Sequence, residues 1–595
     1  MKCGNLDKWR NITNCENLLL FSQLVNELLF DYSIPSNRVS TLNSHYLCYD
    51  ALSAIESIEY HGVPEGTLKP IMEELYVALS KDPVYRSGEP LNYFMKYQGD
   101  KYTISSKVSD LNYDDLKKTA TALQTSFFAD NQYYEKLKSE ITVIIKDNIV
   151  ERQKDLFRLV KSVLTELMDM GYSLRYIYEI MNKYFWNPKV EIVSGDQISL
   201  FFDAFTLKEN EYDVVFIVNK KRMEKFISFI ENLDFENEWK LRFDNQFERQ
   251  FFNMKNREAI ICIKNSALDP FAAAKIAKNM LSTNASVYRL FDHNYRYDIN
   301  AVACGVYGSE QFYKLSHEIR AVDHTKAMSK KQIEESMQIA YQAMTSVSNN
   351  RSYDDLISII NAVKFHSHSL DSSSEENQLL DLWAIFESIL DISNKHTSDR
   401  IQQVCMYLVP ILKLKYIYAL FLQLSSDIKN YDNNMYNIIV NNSVDEGEIV
   451  QKVCEFVLLD RNKPERDVFL KKCIDFPLLK ERIEYYSSEL KSTDQVYKFV
   501  EKHGERVKWQ VMRIYRNRNL IIHNAKTMPY LRLLIENLHS YVDDFISYSI
   551  HTLSKGHDIE SMCQELFVKE CKWNTEFQKG KSPLNEVLIG KMLAL

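Results

Sequence analysis

Apolar residues recur every three or four positions along most of this chain, the spacing that gathers them on one face of an α-helix. "NLLLFSQLVNELLFDY" sets Leu18, Leu19, Phe21, Leu24, Leu28 and Leu29 in that rhythm. "KDLFRLVKSVLTELMDMGYSLRYIYEIMNKYF" repeats it and carries Gly171, suited to end a helix. Residues 1–185 therefore read as a helical region, with "KYTISSKVSDLNYDDLKK" as a loop leading into a helix start.

Between 186 and 325 the rhythm changes. "KVEIVSG", "ISLFFDAF", "DVVFIVN" and "AIICIKN" are short β-branched or aromatic runs between turn residues, the mark of strands. "SVYRLF" and "AVACGVYG" offer further strands. "DPFAAAKIAKNMLST" reads as a helix, with Asp269 as N-cap and Pro270 at its first position. This is a small α/β (α+β) domain.

After 325 the helical rhythm returns. "SNNRS" near 348–352 and the serine-rich "HSHSLDSSSEEN" at 366–377 are polar breaks. The expected architecture is mainly α and multidomain. It comprises a helical region 1–185, the α/β domain 186–325, a helical linker 326–374, a helical domain 375–555 and a tail 556–595.

Composition supports this picture. A chain of 595 residues suggests roughly two to four domains. Only 14 glycines and 12 prolines interrupt it, as befits long helices. The net charge is −8, so any nucleic-acid contact must come from a local basic patch. The ten cysteines are scattered without a C-x-x-C pair, which points to reduced thiols. Asp7, Lys8, Arg10 and Glu16 break the N-terminal apolar residues, so no signal peptide is expected. "MYLVPILKLKYIYALFLQL", broken by Pro410, Lys413 and Lys415, reads as a buried helix and not a membrane span. The expectation is a soluble, cytoplasmic protein.

Several sites fall away on chemical grounds. His366 and His368 lie in the serine-rich break without a third metal ligand nearby. "YDVVFIVNKKR" lacks the carboxylate two residues before its lysines that a metal-dependent nuclease strand needs. "CGVYGSEQ" has two glycines but neither a third nor a βα context. No metal or cofactor is expected.

One stretch is different. "EKHGERVKWQVMRIYRNRNLIIHNAKTMPYLR", residues 501–532, holds eight Lys or Arg against two Glu. Arg506, Lys508, Arg513 and Lys526 are its candidate RNA-binding cations. Val511, Met512, Tyr515 and Ile522 fit one apolar helical face. Asn519 and His523 are four apart and share a face, with Arg518 at its edge. An arginine, an amide and an imidazole can thus converge on one phosphate.

That trio suits metal-free RNA cleavage. Histidine, with a reference pKa of about 6.5, can take the proton from the attacking 2′-OH. Arginine can hold the phosphate and offset its developing charge. Spacing alone discriminates poorly, because Arg38 to His45 and Arg532 to His539 also match but lack the polar residue after the arginine. Two registers fit: Arg518–Asn519 and Arg516–Asn517. Arg518 is preferred as catalytic, with Asn519 and His523, and Arg516 and Asn517 are supporting residues.

"RNRNLIIHNA" resembles the R-x4–6-H motif of the HEPN superfamily, in its Arg–Asn–three residues–His form. "LLDLWAIFESIL" resembles the first core helix of HEPN domains of the abortive-infection type. On that helix Leu379, Trp383, Phe386 and Leu390 read as the apolar face, and Glu387 as a carboxylate seeking a cationic partner, one of the motif arginines being a candidate. The resemblance covers about residues 375–555, interrupted by a long insertion around 425–507. It implies a C-terminal antiparallel helical bundle of HEPN type acting as a metal-independent endoribonuclease. It also implies a homodimer with a composite site, and a role in prokaryotic defence against phage. The partners expected are an RNA such as tRNA or mRNA and a phage-derived trigger or regulatory partner, with no membrane. The preceding domains would sense the trigger or restrain the nuclease. The alternative is a non-catalytic RNA-binding or protein-interaction module, in which Arg518 pairs with Glu387 and His523 is a satisfied core residue.

Overall fold

A computed structural model describes residues 5–10, 12–30, 42–61, 63–98, 101–105, 107–219, 233–236, 258–294, 304–307, 312–315, 330–345, 350–372, 374–390, 400–528, 530–578 and 580–593. The described chain is mainly helical, with two antiparallel sheets. It divides into two compact units, and the division departs from the expected boundaries. One unit holds Met1–Val163, Val193–Gly195 and His324–Leu595, and the other holds Leu164–Ile192 and Asp196–Asp323.

The first part of the larger unit contains α1 (Glu16–Phe30), α2 (Ser44–His61), α3 (Leu68–Leu79), α4 (Tyr113–Phe127) and α5 (Gln132–Lys146). The segment expected as a loop before α4 instead opens with a strand, β2 (Lys101–Ile104), paired in a hairpin with β1 (Met95–Gln98). Asn112 then caps α4 by accepting from the Asp115 N–H. The boundary between the units falls inside α6 (Gln153–Asp169). Gly171, at φ +106, follows it in a conformation that costs glycine little.

The smaller unit contains α7 (Leu174–Met181) and a five-stranded antiparallel sheet in the order β4-β5-β3-β6-β7. Its strands are β3 (Asn210–Asn219), β4 (Leu233–Glu236), β5 (Glu258–Ala267), β6 (Cys304–Tyr307) and β7 (Phe312–Leu315). α8 (Pro270–Phe291) lays Ala273, Ala277, Leu281 and Ala285 against Val214, Phe216, Ile261 and Ile263 of the sheet. Asp269 caps α8, accepting from the N–H groups of Phe271 and Ala272 at 2.8 Å.

Three expected strands are absent from this sheet. "ISLFFDAF" begins with a helical turn, Ile198–Phe202, and "SVYRLF" is the last part of α8. "KVEIVSG" is irregular. Their β-branched and aromatic content is real, but helix continuation and burial override a preference of that size. Lys220 and Lys221 lie outside the described residues.

The larger unit resumes with α9 (Lys330–Thr345), α10 (Asn350–Asp371), α11 (Glu375–Ile389) and α12 (Arg400–Tyr431). The insertion forms α13 (Asn433–Val440), α14 (Glu446–Leu458), α15 (Lys463–Lys472) and α16 (Pro477–Glu489). Then come α17 (Thr493–Asn524), α18 (Leu531–Ser554), α19 (Ile559–Gln578) and α20 (Glu586–Leu593).

The expected linker is not a linker. α10 runs through His366 and His368, and α9 and α10 pack on α18 and α11. The expected tail is α19 and α20, packed against α17, α12 and α14. Residues 1–163 also belong to this unit and do not stand apart as a separate N-terminal domain. Each of these stretches has an apolar face, and covering such faces against one core removes more surface from water than leaving a separate linker and tail.

That core joins Trp383 and Phe386 of α11 to Ile514 of α17 and Phe545 of α18. Leu379, Trp383, Phe386 and Leu390 are all buried, as their spacing predicts. α12 continues as helix through Pro410. Its Ile401–Tyr431 stretch is long and apolar enough to cross a membrane, but 67% of its most apolar window is buried inside the protein.

Candidate active site at the end of the long helix

α17 is 32 residues long, roughly 48 Å. Ser492 caps its start and accepts from the Gln495 N–H. Its last turn carries the motif and ends at Ala525, which stands at φ +49. There the Ala525 and Lys526 N–H groups bond to the carbonyls of Ile521 and Leu520.

Arg518 reaches across to α11. Its Nη2 lies 3.2 and 3.3 Å from the two carboxylate oxygens of Glu387. Its Nη1 donates to Asn519 Oδ1 at 3.0 Å. Trp383 Nε1 donates to the same Glu387 at 3.1 Å, and the Trp383 and Tyr515 rings lie 5.3 Å apart. The acid expected to seek a motif arginine therefore finds Arg518. The pair stays partly open to water, with 19% and 28% of the two side chains exposed. One turn beyond Asn519, His523 is exposed. Ile522, expected on the apolar face, is 47% exposed, so the core covers Leu520 and Ile521 but not this side of the last turn.

Arg516 points elsewhere. Its Nη2 lies 2.5 Å from Asp50 on α2. Asp50 also meets Arg513 Nε at 3.2 Å and accepts from the Tyr530 hydroxyl at 2.9 Å. Arg513 pairs further with Glu74 of α3 and donates to Gln510 at 2.7 Å. Asp50 and Arg513 are thus buried together, with Glu74 and Arg516 partly buried beside them. Burial pushes the Asp50 carboxyl up, but Arg516 and Arg513 outweigh it and hold the group below the usual range. At Glu74 burial wins over Arg513, and the carboxyl is raised.

This corrects two expectations. Arg513, read as an RNA-binding cation, is only 1% exposed and holds two acids. Asn517, read as a supporting residue, is buried and donates to the Arg513 carbonyl at 2.9 Å. Helical spacing turns both toward α2 and α3, whose acids are more than 400 positions away in the chain. That distance is why sequence reading missed Asp50 and Glu74.

The other three candidate cations remain at the surface. Lys508 is exposed and Arg506 half-buried. Lys526 pairs with Glu56 of α2 at 2.7 Å. His366 and His368, set aside as ligands, meet Asp543 at 2.9 Å and Asp381 at 2.6 Å. His539, the decoy histidine after Arg532, is buried. Among the described residues no group of three or more His, Cys, Asp or Glu is placed to hold a metal.

An arginine braced by a carboxylate and an amide, with an accessible imidazole one turn on, can hold a phosphate and move a proton beside it. Comparisons with protein-family models, curated proteins and solved structures find no match for this chain.

Proposed function

We propose that this protein is a metal-independent endoribonuclease of HEPN type. The observation that carries the reading is the brace on Arg518, made by Glu387 and Asn519, beside an exposed His523. In the proposed reaction His523 takes the proton of a ribose 2′-OH. The 2′-oxygen attacks the adjacent phosphorus, the bond to the 5′-oxygen breaks, and that oxygen takes a proton from solvent water as it leaves. The products are a 2′,3′-cyclic phosphate and a 5′-hydroxyl. Arg518 offsets charge on the phosphoryl oxygens, and Asn519 orients the arginine. Arg516, committed to Asp50, has a positioning role.

The exposure of His523 favours this reading over the non-catalytic module, which requires that histidine to be a satisfied core residue. The Arg518–Glu387 pair is common to both readings and does not separate them. With the activity go a homodimer whose two motifs face each other, a cytoplasmic location and a role in anti-phage defence.

The test is RNA cleavage by the purified protein in EDTA, with end analysis of the products. Cyclic phosphate ends that vanish in His523→Ala support the proposal. Strict magnesium dependence, or a His523→Ala protein as active as its parent, removes it.

A further inference from the structure

Away from the motif, Arg506 lies in surroundings unusual for an acidic chain. Lys502 and Arg506 are one turn apart on α17, and Arg506 Nε donates to the Lys502 carbonyl at 3.2 Å. Arg158 and Lys161 are three apart on α6. Arg158 Nη1 donates to the Lys81 carbonyl at 3.3 Å, which brings the turn after α3 to the same place. α3, which ends two residues before Lys81, packs on α17, and Lys81 lies in the electrostatic field of Lys502, Arg506 and Arg158, and Lys161 in that of Arg506 and Arg158. Cations from three chain segments therefore gather around two arginines.

Glu505 acts on Lys81 and Glu27 on Lys161, but both oxygens of Glu27 lie 2.8 Å from Arg482. Lys81, Arg158 and Lys502 are exposed, while Lys161 and Arg506 are half-buried. Burial first, then Arg506, pulls the Lys161 ammonium down to about 8. Tyr485, 37% exposed, stands in the field of Glu489 and of the same two arginines, and backs onto Tyr486 and Phe499. Grouped cations with an accessible aromatic ring are what a nucleic-acid strand recognises: phosphates meet the charges and a base meets the ring.

We propose that Lys81, Arg158, Lys161, Lys502 and Arg506, with the ring of Tyr485, form a second RNA-binding surface that grips backbone phosphates away from the cleavage motif. The proposal rests on RNA being the ligand of this protein, as in the reading above. Arg506 and His523 are separated by roughly 25 Å along α17. Arg506 also lies about 220° around the helix from Asn519, at ~100° per residue. A short oligonucleotide cannot reach both places, so the substrate is a long or folded RNA.

The test is fluorescence anisotropy in the His523→Ala background, comparing Arg158→Glu/Lys502→Glu with a control of equal charge change, Lys555→Glu/Lys572→Glu. Circular dichroism confirms folding of each. For a tRNA-sized RNA the patch variant should bind about tenfold or more weakly than the control. Its log–log salt slope should be shallower by about 1.4, two phosphates at about 0.7 each. A tetranucleotide should bind both variants alike. Patch and control variants with the same affinity and salt slope for the long RNA overturn the proposal. So does a parent that binds no RNA, or ATP binding as tightly as the long RNA. Because binding is read without cleavage, a parent that binds RNA through this surface but cuts none would defeat the nuclease reading alone.

Discussion

Arg516 of α17 meets Asp50 of α2 at 2.5 Å, across 466 positions of sequence. Asp50 holds Arg513 as well, so one carboxylate on α2 positions two of the three arginines between Arg513 and the motif histidine, Arg513 included. The third, Arg518, is held by Glu387 of α11. The motif helix is thus clamped from two sides, by acids that sequence proximity does not suggest.

Removing Asp50 should be costly. Asp50→Ala leaves two guanidiniums facing a site with only Glu74, and breaking a buried pair costs about 3–5 kcal/mol. Arg516→Ala should cost less, because Asp50 keeps Arg513. Urea denaturation measures both. Because Asp50 is held below the usual carboxylate range, its contribution is present above the unfolded pKa and lost as pH falls through the folded one. Equal and small effects from the two substitutions would mean that the cluster does not anchor α17.

Glu387→Gln keeps size and one hydrogen-bond acceptor but removes the charge facing Arg518. If Arg518 is the phosphate arginine, its misplacement should lower kcat by about 10- to 100-fold with a smaller change in KM. The melting temperature should move little, since the pair is partly exposed. Single-turnover cleavage and calorimetry together decide the point. A large loss of stability with unchanged kcat would assign Glu387 to packing alone.

Burial, then Glu484, pushes the Glu481 carboxyl up to about 7. Its folded pKa therefore lies above the unfolded value of about 4.3, and its contribution is present below that value and lost as pH rises through the folded one. Glu481→Gln should raise the thermal midpoint at about pH 8 and leave it nearly unchanged at about pH 4. Thermal scans across that range check the sign, and stabilisation greater at the acid end would contradict it.

Ala525 ends α17 at φ +49, a left-handed conformation that costs a residue with a Cβ about 1–2 kcal/mol. Ala525→Gly should raise stability by up to about 1 kcal/mol, part of the gain being offset by the freer unfolded chain. Chemical denaturation measures it. A destabilised variant would show that the Ala525 methyl makes contacts worth more than the strain.

How much could be read along the chain depended on how local each cause was. The Asp269 cap and the Gly171 stop need only neighbouring residues, and both stand where their sequence places them. The apolar face of α11 follows from spacing alone, and so does the need of Glu387 for a cation at its edge. "SVYRLF" and "ISLFFDAF" misled because a few β-branched or aromatic residues cannot outweigh a helix already under way or the packing around it. The break expected at "HSHSLDSSSEEN" is there but shorter: α10 runs on through His366 and His368 to Asp371, and α11 starts at Glu375 behind its Ser374 cap.

The sequence by itself determined a mainly helical chain with a small α+β unit. It also determined a basic stretch within an acidic protein, and a helix on which Asn519 and His523 share a face. Those properties depend on periodicity and composition, which act over a few residues at a time. Only the tertiary structure decided which of the tandem arginines faces which acid. It buried Arg513 and Asn517, tied Arg516 to Asp50, left Arg518 beside Glu387 at the surface, and made residues 1–163 part of the same unit as the motif. The physical reason is that a guanidinium leaves water only where acceptors await it, and for Arg513 and Arg516 these are carboxylates. Here those carboxylates come from helices at the far end of the chain.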